Sequence, residues 1–316
     1  MPGPVDDYLS PPALAVRSAV ERALAEDLTP LGDLTSVLVP AAAVTTAELR
    51  ARQAGVLAGV DCVIETFAQV DPSLTLTWRL SDGDRLEAGS VIGTVEGHLR
   101  TVLTAERTAL NFLSHLSGVA TNTAAFVDRA AATGSSTRVW DTRKTTPGLR
   151  SLQKAAVRAG GGRNHRANLS DAIMVKDNHL TGLGVAEAVG LAKDRWPNRT
   201  VVVECERSDQ MVVAIEAGAD SVLLDNMMPE QVSECVALAA ELQGSSPRRC
   251  LLEASGAITL ETVAAYAATG VDLVSSGAIT NSAPHEFDVV RHVLGTEYAT
   301  ISATQPKRSD PLVAPV

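Results

Sequence analysis

From about residue 137 the chain alternates short apolar runs with longer, Ala-rich stretches of helical period. TRVWDT precedes LRSLQKAAVRAG, DAIMVKD precedes VAEAVGLAKDRW and TVVVECE precedes DQMVVAIEAG; SVLLDN with PEQVSECVALAAEL, RCLLEAS with LETVAAYAATG and a last DLVSSG follow. The runs are near-continuous in Val, Ile and Leu, which suits parallel strands covered on both faces. Six βα units in a row predict a barrel or a doubly wound sheet. Every run ends in polar groups: Asp141 to Lys144, Lys176 to Asn178, Glu204, Asp225 with Asn226, Glu253 with Ser255, and Ser275 with Ser276. In a barrel such positions converge on one C-terminal rim, whereas in an open sheet they spread along an edge. We therefore expect a parallel α/β barrel, incomplete because six strands are counted and not eight.

The first 118 residues lack this rhythm. SPPALAVRSAVERALAEDL predicts a helix opened by Ser10 and Pro11, while AELRARQAGVLAG, LTLTWRL and SVIGTVEG predict strands separated by Asp/Gly turns such as SDGDRLEAGS. AERTALNFLSHLSGVATNTAAFVDRAAA predicts one long helical stretch broken near Gly118. Arg107 opens that stretch and by default is solvated. The expected organisation is an N-terminal α/β domain over 1–118, a barrel over 119–288, and a C-terminal helix with a flexible tail over 289–316. From Thr304 the tail TQPKRSDPLVAPV has three prolines and no periodicity, which predicts poor order.

Composition narrows the class without changing the fold. A 45% hydrophobic chain of 316 residues can bury a sizeable core. No apolar run approaches the roughly 20 residues that cross a bilayer, and MPGPVDDYLS does not read as a secretory signal. Cys62, Cys205, Cys235 and Cys250 form no CxxC pair, so reduced thiols are expected. The expectation is a soluble cytoplasmic protein.

Charge changes the picture more. Between Arg138 and His179 the sequence holds nine Lys/Arg against three Asp, in a chain of net charge -10. The cations concentrate in DTRKTTPGLR (141–150) and GGGRNHRANLSDAIMVKDNH (160–179). A local cationic site on an acidic protein suits a small polyanion, because nucleic acid usually demands a broad basic face. The pentapeptide SGAIT adds a second anion signal, occurring at 255–259 and 276–280, each time after an apolar strand. Glycine lets backbone N–H groups approach an anion, and barrels commonly bind phosphate on the loops after their last strands. Ordinary βα turns, with Ser as a cap, are the plainer reading of either copy alone.

The blocks DTRKTTPGLR, GGGRNHR, MVKDNH, VECE, VLLDN, EASG and SGAIT, with ERTALNFLSHLSGVAT and EDLTPLGDLTS upstream, resemble quinolinate phosphoribosyltransferase over about Glu26 to Thr280. The resemblance implies an N-terminal α/β sandwich domain, an incomplete α/β barrel, and a homodimer, open to further assembly, whose active sites borrow residues across the interface. It also implies the joining of quinolinate and phosphoribosyl pyrophosphate, with Mg²⁺, to give nicotinate mononucleotide, pyrophosphate and carbon dioxide in NAD synthesis. By the same resemblance Thr142, Arg143, His165, Arg166 and Lys176 hold quinolinate, and Arg107 reaches in from the partner subunit. Lys144 neutralises pyrophosphate, Glu204 and Asp225 hold Mg²⁺ directly or through water together with the ribose hydroxyls, and Ser255, Gly256, Ser276, Gly277 and Ala278 take the 5-phosphate. Lys144, Glu204 and Asp225 are the expected catalytic residues. The residue types suit these ligands: forked guanidiniums match a planar dicarboxylate, and few carboxylates suffice for a hard cation when phosphates supply further ligands.

Two positions depart from the family pattern. Val202 stands where a Glu is usual two positions before Glu204, and Asn168 where a glycine is common after the HR pair. An alternative reading keeps the phosphoribosyl site but takes another pyridine carboxylate, and a third is a phosphate-ligand sensor without turnover. Retention of Arg107, Arg143, His165, Arg166 and Lys176 together argues against the former, and Glu204 with Asp225 against the latter.

Overall fold

Strand residues in the amino-terminal half alternate apolar with polar, those further on are continuously apolar, and the two patterns fold into two different sheets. The computed structural model describes residues 9–244 and 249–294. Helix α1 (Ala13–Leu28) leads into β1 (Val44–Ala51), β2 (Gly55–Val56), α2 (Val60–Val70), β3 (Thr75–Trp78), β4 (Arg85–Leu86) and β5 (Val91–His98). Helix α3 (Leu99–Ala131) follows, then β6 (Arg138–Trp140), α4 (Arg150–Ala159), β7 (Ile173–Val175), α5 (Val185–Arg195), β8 (Val201–Cys205) and α6 (Ser208–Glu216). The chain closes with β9 (Ser221–Asp225), α7 (Pro229–Gln243), β10 (Leu251–Ser255), α8 (Val263–Ala267), β11 (Leu273–Ser275) and β12 (Phe287–Leu294).

The first sheet has the order β12-β1-β5-β3 with antiparallel pairing throughout. In β1 Thr45, Ala47, Leu49 and Ala51 are buried and the residues between them are not, so one face meets water and the other packs. That inner face shares a core with Phe67 of α2 and with Val102, Ala105, Ala109 and Leu113 of α3. The segment from residue 289, expected as a helix, is strand through Leu294. It pairs with β1 from Ala51↔Phe287 to Val44↔Leu294, so the chain returns to its first sheet after the barrel is built. Phe287 and Val289 face the core, a period of two that fits a strand. The rest of the expected tail, 295–316, lies outside the described residues.

The second sheet is parallel throughout, in the order β6-β11-β10-β9-β8-β7. All six expected strands are present. Consecutive strands are neighbours except β6 and β7, and the ends β6 and β11 also pair, so the barrel is closed everywhere but between β6 and β7. Residues 160–166 run beside that gap. Arg163 bridges Trp140, its N–H donating to the Val139 carbonyl at 2.8 Å while the Asp141 N–H donates to the Arg163 carbonyl at 3.0 Å. Val203, Cys205, Val222, Leu224, Leu252 and Ala254 pack outward with the helices. Alternation therefore turns Val202, Glu204, Asp225, Glu253 and Ser255 inward.

Helix α3 has 33 residues and, at about 1.5 Å per residue, spans roughly 50 Å. Its first half packs on the antiparallel sheet; Leu116, Val119, Ala120, Ala124 and Phe126 pack on the barrel. One rod thus joins both cores, and the break expected near Gly118 does not occur. Gly118 serves a different purpose: a Cβ there would collide with the Ala283 carbonyl oxygen, and Pro284 Cα would lie 3.2 Å away. Gly118→Ala gains about 1 kcal/mol of helix propensity but must displace backbone, at about 1–3 kcal/mol for overpacking. We expect a net loss in the urea unfolding free energy; a variant as stable as the parent would contradict this packing. Among the described residues no helix is long and apolar enough to cross a membrane.

Candidate active site

The barrel rim gathers the cationic blocks through two buried polar residues that follow one another in α4. Asp141, fully buried just after β6, pairs with Lys154 Nζ at 2.6 Å. The same carboxylate accepts from the His165 N–H at 2.7 Å and from Asn164 Nδ2 at 2.8 Å, and Lys154 Nζ also donates to the His165 carbonyl at 2.9 Å. Burial pushes the Asp141 carboxyl up and the Lys154 ammonium down, with each partner pulling the other back. This pair ties the segment carrying His165 and Arg166 to the strand preceding Arg143 and Lys144. Gln153, next to Lys154 and fully buried, performs the parallel task. Its Oε1 accepts from the Thr146 N–H at 2.8 Å, and its Nε2 donates to the Thr280 carbonyl at 3.0 Å and lies 2.9 Å from His115 Nε2.

Within this frame the guanidiniums of Arg143 and Arg166 are loosely held by the described residues. Arg143 Nε is buried with no hydrogen bond among the described residues. Burial, and then the charge of Arg143, push the Arg166 guanidinium down, opposed by Glu204. Among the described residues the Arg166 guanidinium makes a 3.3 Å bond to the Ala172 carbonyl and a 3.5 Å contact with Met174 Sδ. Two guanidiniums in each other's field, one with a buried unpaired donor, call for an anion. Lys176 is already committed: its ammonium bonds Glu204, which the β7–β8 register places alongside. His165 lies in the same group with both ring nitrogens engaged. Nδ1 accepts from the Arg166 N–H at 2.7 Å, and Nε2 is 3.2 Å from Glu253 Oε2.

The opposite side of the rim carries the other half. Asp225 ends β9 in register with Ser255, and its carboxyl is pushed up by burial and then by Glu204, with Lys176 and Lys144 acting the other way. Gly256 has φ +95°, and a side chain there would collide with Asn226 Oδ1; Asn226 Nδ2 in turn donates to Asp225 Oδ2 at 2.7 Å. Ala257 and Asn226 also hold positive φ, +46° and +55°, which a non-glycine residue adopts at a cost. The two SGAIT turns are joined to each other: Ser276 Oγ donates to the Ile258 carbonyl at 2.6 Å and accepts from the Ala278 N–H at 3.1 Å, and Ser275 Oγ donates to Ser255 Oγ at 3.0 Å. They are joined to the lysine block as well. Thr280 Oγ1 donates to the Lys144 carbonyl at 2.7 Å, and a Cβ at Gly277 would sit 2.9 Å from Lys144 Cδ. Helix α8 begins only at Val263, so no helix N-terminus lies directly after Ser255.

Thr142, Arg143, Lys144, His165, Arg166, Lys176, Glu204, Asp225, Ser255, Gly256, Ser276, Gly277 and Ala278 thus come from the ends of successive strands onto one rim. Thr142 turns its Oγ1 to the Lys144 N–H at 3.0 Å, shaping the loop. Arg107 does not join them. It is exposed on α3, 15 residues before Asn122, whose Nδ2 donates to the Ala278 carbonyl at 3.0 Å, so it lies roughly 22 Å of helix rise away. Sequence reasoning missed Asp141, Gln153, Lys154 and Glu253 as site components. Their signal was two consecutive polar residues at buried positions of an amphipathic helix, and carboxylates flanked by apolar strand residues. No group of three or more His, Cys, Asp or Glu suited to a metal exists among the described residues.

Comparison with known proteins agrees with this layout. Sequence-family models described as the N-terminal and C-terminal domains of quinolinate phosphoribosyl transferase match residues 33–117 and 119–289. A nicotinate-nucleotide pyrophosphorylase [carboxylating] of Mycobacterium leprae is 41% identical over 273 residues, covering 85% of this chain and 94% of the relative. A quinolinate phosphoribosyltransferase [decarboxylating] of Nicotiana glauca is 35% identical over 285 residues, covering 86% and 80%. The solved nicotinate-nucleotide pyrophosphorylase of Francisella tularensis superposes with a TM-score of 0.85 at 38% identity, covering 90% of this chain and 99% of that one. With both domains matched and the rim residues assembled, the chain belongs to the quinolinate phosphoribosyltransferase family.

Proposed function

We propose that this rim carries out the reaction of its family, joining quinolinate to phosphoribosyl pyrophosphate to give nicotinate mononucleotide, pyrophosphate and carbon dioxide for NAD synthesis. The observation that carries the reading is the pair Arg143 and Arg166, cations in one another's field with a buried unpaired donor. A planar dicarboxylate is the ligand such a pair matches, each carboxylate meeting a fork of N–H donors. Lys176, held by Glu204, couples the acceptor half to the ribose half. Lys144, resting against Gly277, stands between the acceptor pocket and the phosphate turns, where departing pyrophosphate needs a positive charge. Ser255 with its hydroxyl, and Gly256 and Gly277 with their N–H groups, meet the 5-phosphate, in turns that Ser276 and Ala278 brace through their bonds to each other and to the Ile258 carbonyl.

The chemistry needs positioning more than a nucleophile. As pyrophosphate departs, positive charge develops at C1 of the ribose, where the carboxylates of Glu204 and Asp225 stabilise it. Attack by the pyridine nitrogen makes the ring cationic; as carbon dioxide leaves, the electron pair of the carbon–carboxylate bond stays on C2, stabilised by the adjacent cationic nitrogen, and takes up a proton from water. Glu204 and Asp225 would hold a magnesium ion: two inward carboxylates in each other's field, with Asp225 pushed up by burial and by Glu204, suit a hard cation. When bound, Mg²⁺ supplies charge neutralisation for the pyrophosphate. Arg107, too far along α3 to reach its own rim, completes the acceptor pocket of a second subunit in a homodimer. The reaction fits a cytoplasmic setting.

With Mg²⁺ and phosphoribosyl pyrophosphate supplied, the protein is expected to consume quinolinate and leave nicotinate untouched, as followed by chromatography of the nucleotide product. Preferential turnover of nicotinate or another pyridine carboxylate would favour the alternative acceptor instead.

A further inference from the structure

We propose that Glu253 is a positioning residue for the acceptor pocket, acting through the His165 ring on Arg166; this rests on the acceptor reading above. Glu253 lies in the middle of β10, paired with Leu223 on one side and Leu273 on the other, and points into the barrel. It is 1% exposed, and its Oε1 has no partner among the described residues, so it is a buried carboxylate of the kind that folding alone does not favour. Among the described residues its one side-chain polar contact is with His165 Nε2, at 3.2 Å.

The hydrogen-bond pattern fixes what that contact is. Because the Arg166 N–H donates to His165 Nδ1 at 2.7 Å, Nδ1 must present a lone pair. In the neutral ring the hydrogen then sits on Nε2, the nitrogen that lies 3.2 Å from Glu253 Oε2. A protonated imidazolium would set two hydrogens against each other at Nδ1. Both ring nitrogens thus have a polar neighbour within the protein, Nδ1 the Arg166 N–H and Nε2 the Glu253 carboxylate, so the ring can act as a strut between them. Trp140 meets it edge-on at 5.6 Å between ring centroids. The His165 backbone is held at N–H and carbonyl by Asp141 and Lys154. Glu253 supplies the remaining restraint, on the ring, and the ring's bond to the Arg166 N–H passes that restraint to the backbone from which the guanidinium projects. Cutting the Glu253 link frees χ1 and χ2 of His165 and loosens Arg166; the phosphate turn that follows β10 keeps its own ties, Ser275 Oγ to Ser255 Oγ, Ser276 Oγ to the Ile258 carbonyl and the Asn226 N–H to the Ser255 carbonyl. Second partners that orient a ligating side chain act in this way in other sites.

The test compares Glu253→Ala with Glu253→Gln, since a glutamine Oε1 can still accept from Nε2–H. Glu253→Ala is expected to raise the KM for quinolinate about tenfold or more, with the KM for phosphoribosyl pyrophosphate within about twofold; Glu253→Gln is expected within about threefold of the parent on both. Equal loss toward both substrates, or Glu253→Gln as impaired as Glu253→Ala, would overturn the proposal. Nitrogen-15 NMR of the unsubstituted protein gives a reading that no folding defect can blur. The His165 signal, assigned by its loss in His165→Gln, should show a neutral ring with the hydrogen on Nε2, and a hydrogen on Nδ1 would overturn the proposal outright. If the unsubstituted protein fails to bind quinolinate, the acceptor reading fails, whereas unaltered quinolinate KM in Glu253→Ala sinks only the role given to Glu253.

Discussion

Lys154→Met is expected to remove about 3–5 kcal/mol of stability, because it leaves the fully buried Asp141 carboxylate without its cation. Methionine matches the length of the lysine stem, so little packing is lost, and the cost is that of one uncompensated charge. The double variant Asp141→Leu with Lys154→Met removes both charges and should recover most of the lost stability. It should not recover activity. Asp141 also receives the His165 N–H and Asn164 Nδ2, and without those bonds the segment bearing His165 and Arg166 is no longer fixed against β6. Urea unfolding reports the first effect and quinolinate turnover the second. A single variant as stable as the parent would mean that the pair is not the tie described, and a double variant that regains both properties would mean that the site does not depend on it.

Arg107→Ala is expected to lower kcat/KM for quinolinate by roughly 100-fold, the loss of one charge-assisted bidentate contact, while leaving the fold untouched because the side chain is exposed. Lys144→Ala should be similarly impaired through its own rim. In a twofold dimer that shares sites, random mixing makes about half of the dimers hybrids, each with one intact site, so activity should return to about one quarter of the parent value. Mixing after subunit exchange therefore separates two architectures. No return of activity would show that Arg107 acts within its own subunit or not at all.

The barrel was legible because its strands bury both faces. Runs such as VVVEC and SVLLD leave no choice of side, and the polar residue ending each run marks the rim. The antiparallel half was harder. Helix α2, Val60–Val70, went unread because DCVIETFAQV begins directly after GVLAGV, with only Gly59 in the left-handed conformation to mark its start. Strand β12 follows six βα units, while its partner β1 lies near the other end of the chain. No local signal records such a pairing. At the site, residue types with few uses outside anion binding were readable from the family's blocks. Asp141, Gln153, Lys154 and Glu253 were not, since each looks like a rim or surface residue until its partner arrives from a distant segment. His165 reached Glu253 only through the closure of the sheet.

Carboxyl-labelled quinolinate tests the central claim most directly. With label in the 2-carboxylate, Mg²⁺ and phosphoribosyl pyrophosphate present, the protein should release one labelled carbon dioxide and one pyrophosphate for each nicotinate mononucleotide formed. A nucleotide product that keeps the label, or none formed from quinolinate while another pyridine carboxylate is turned over, would contradict the account.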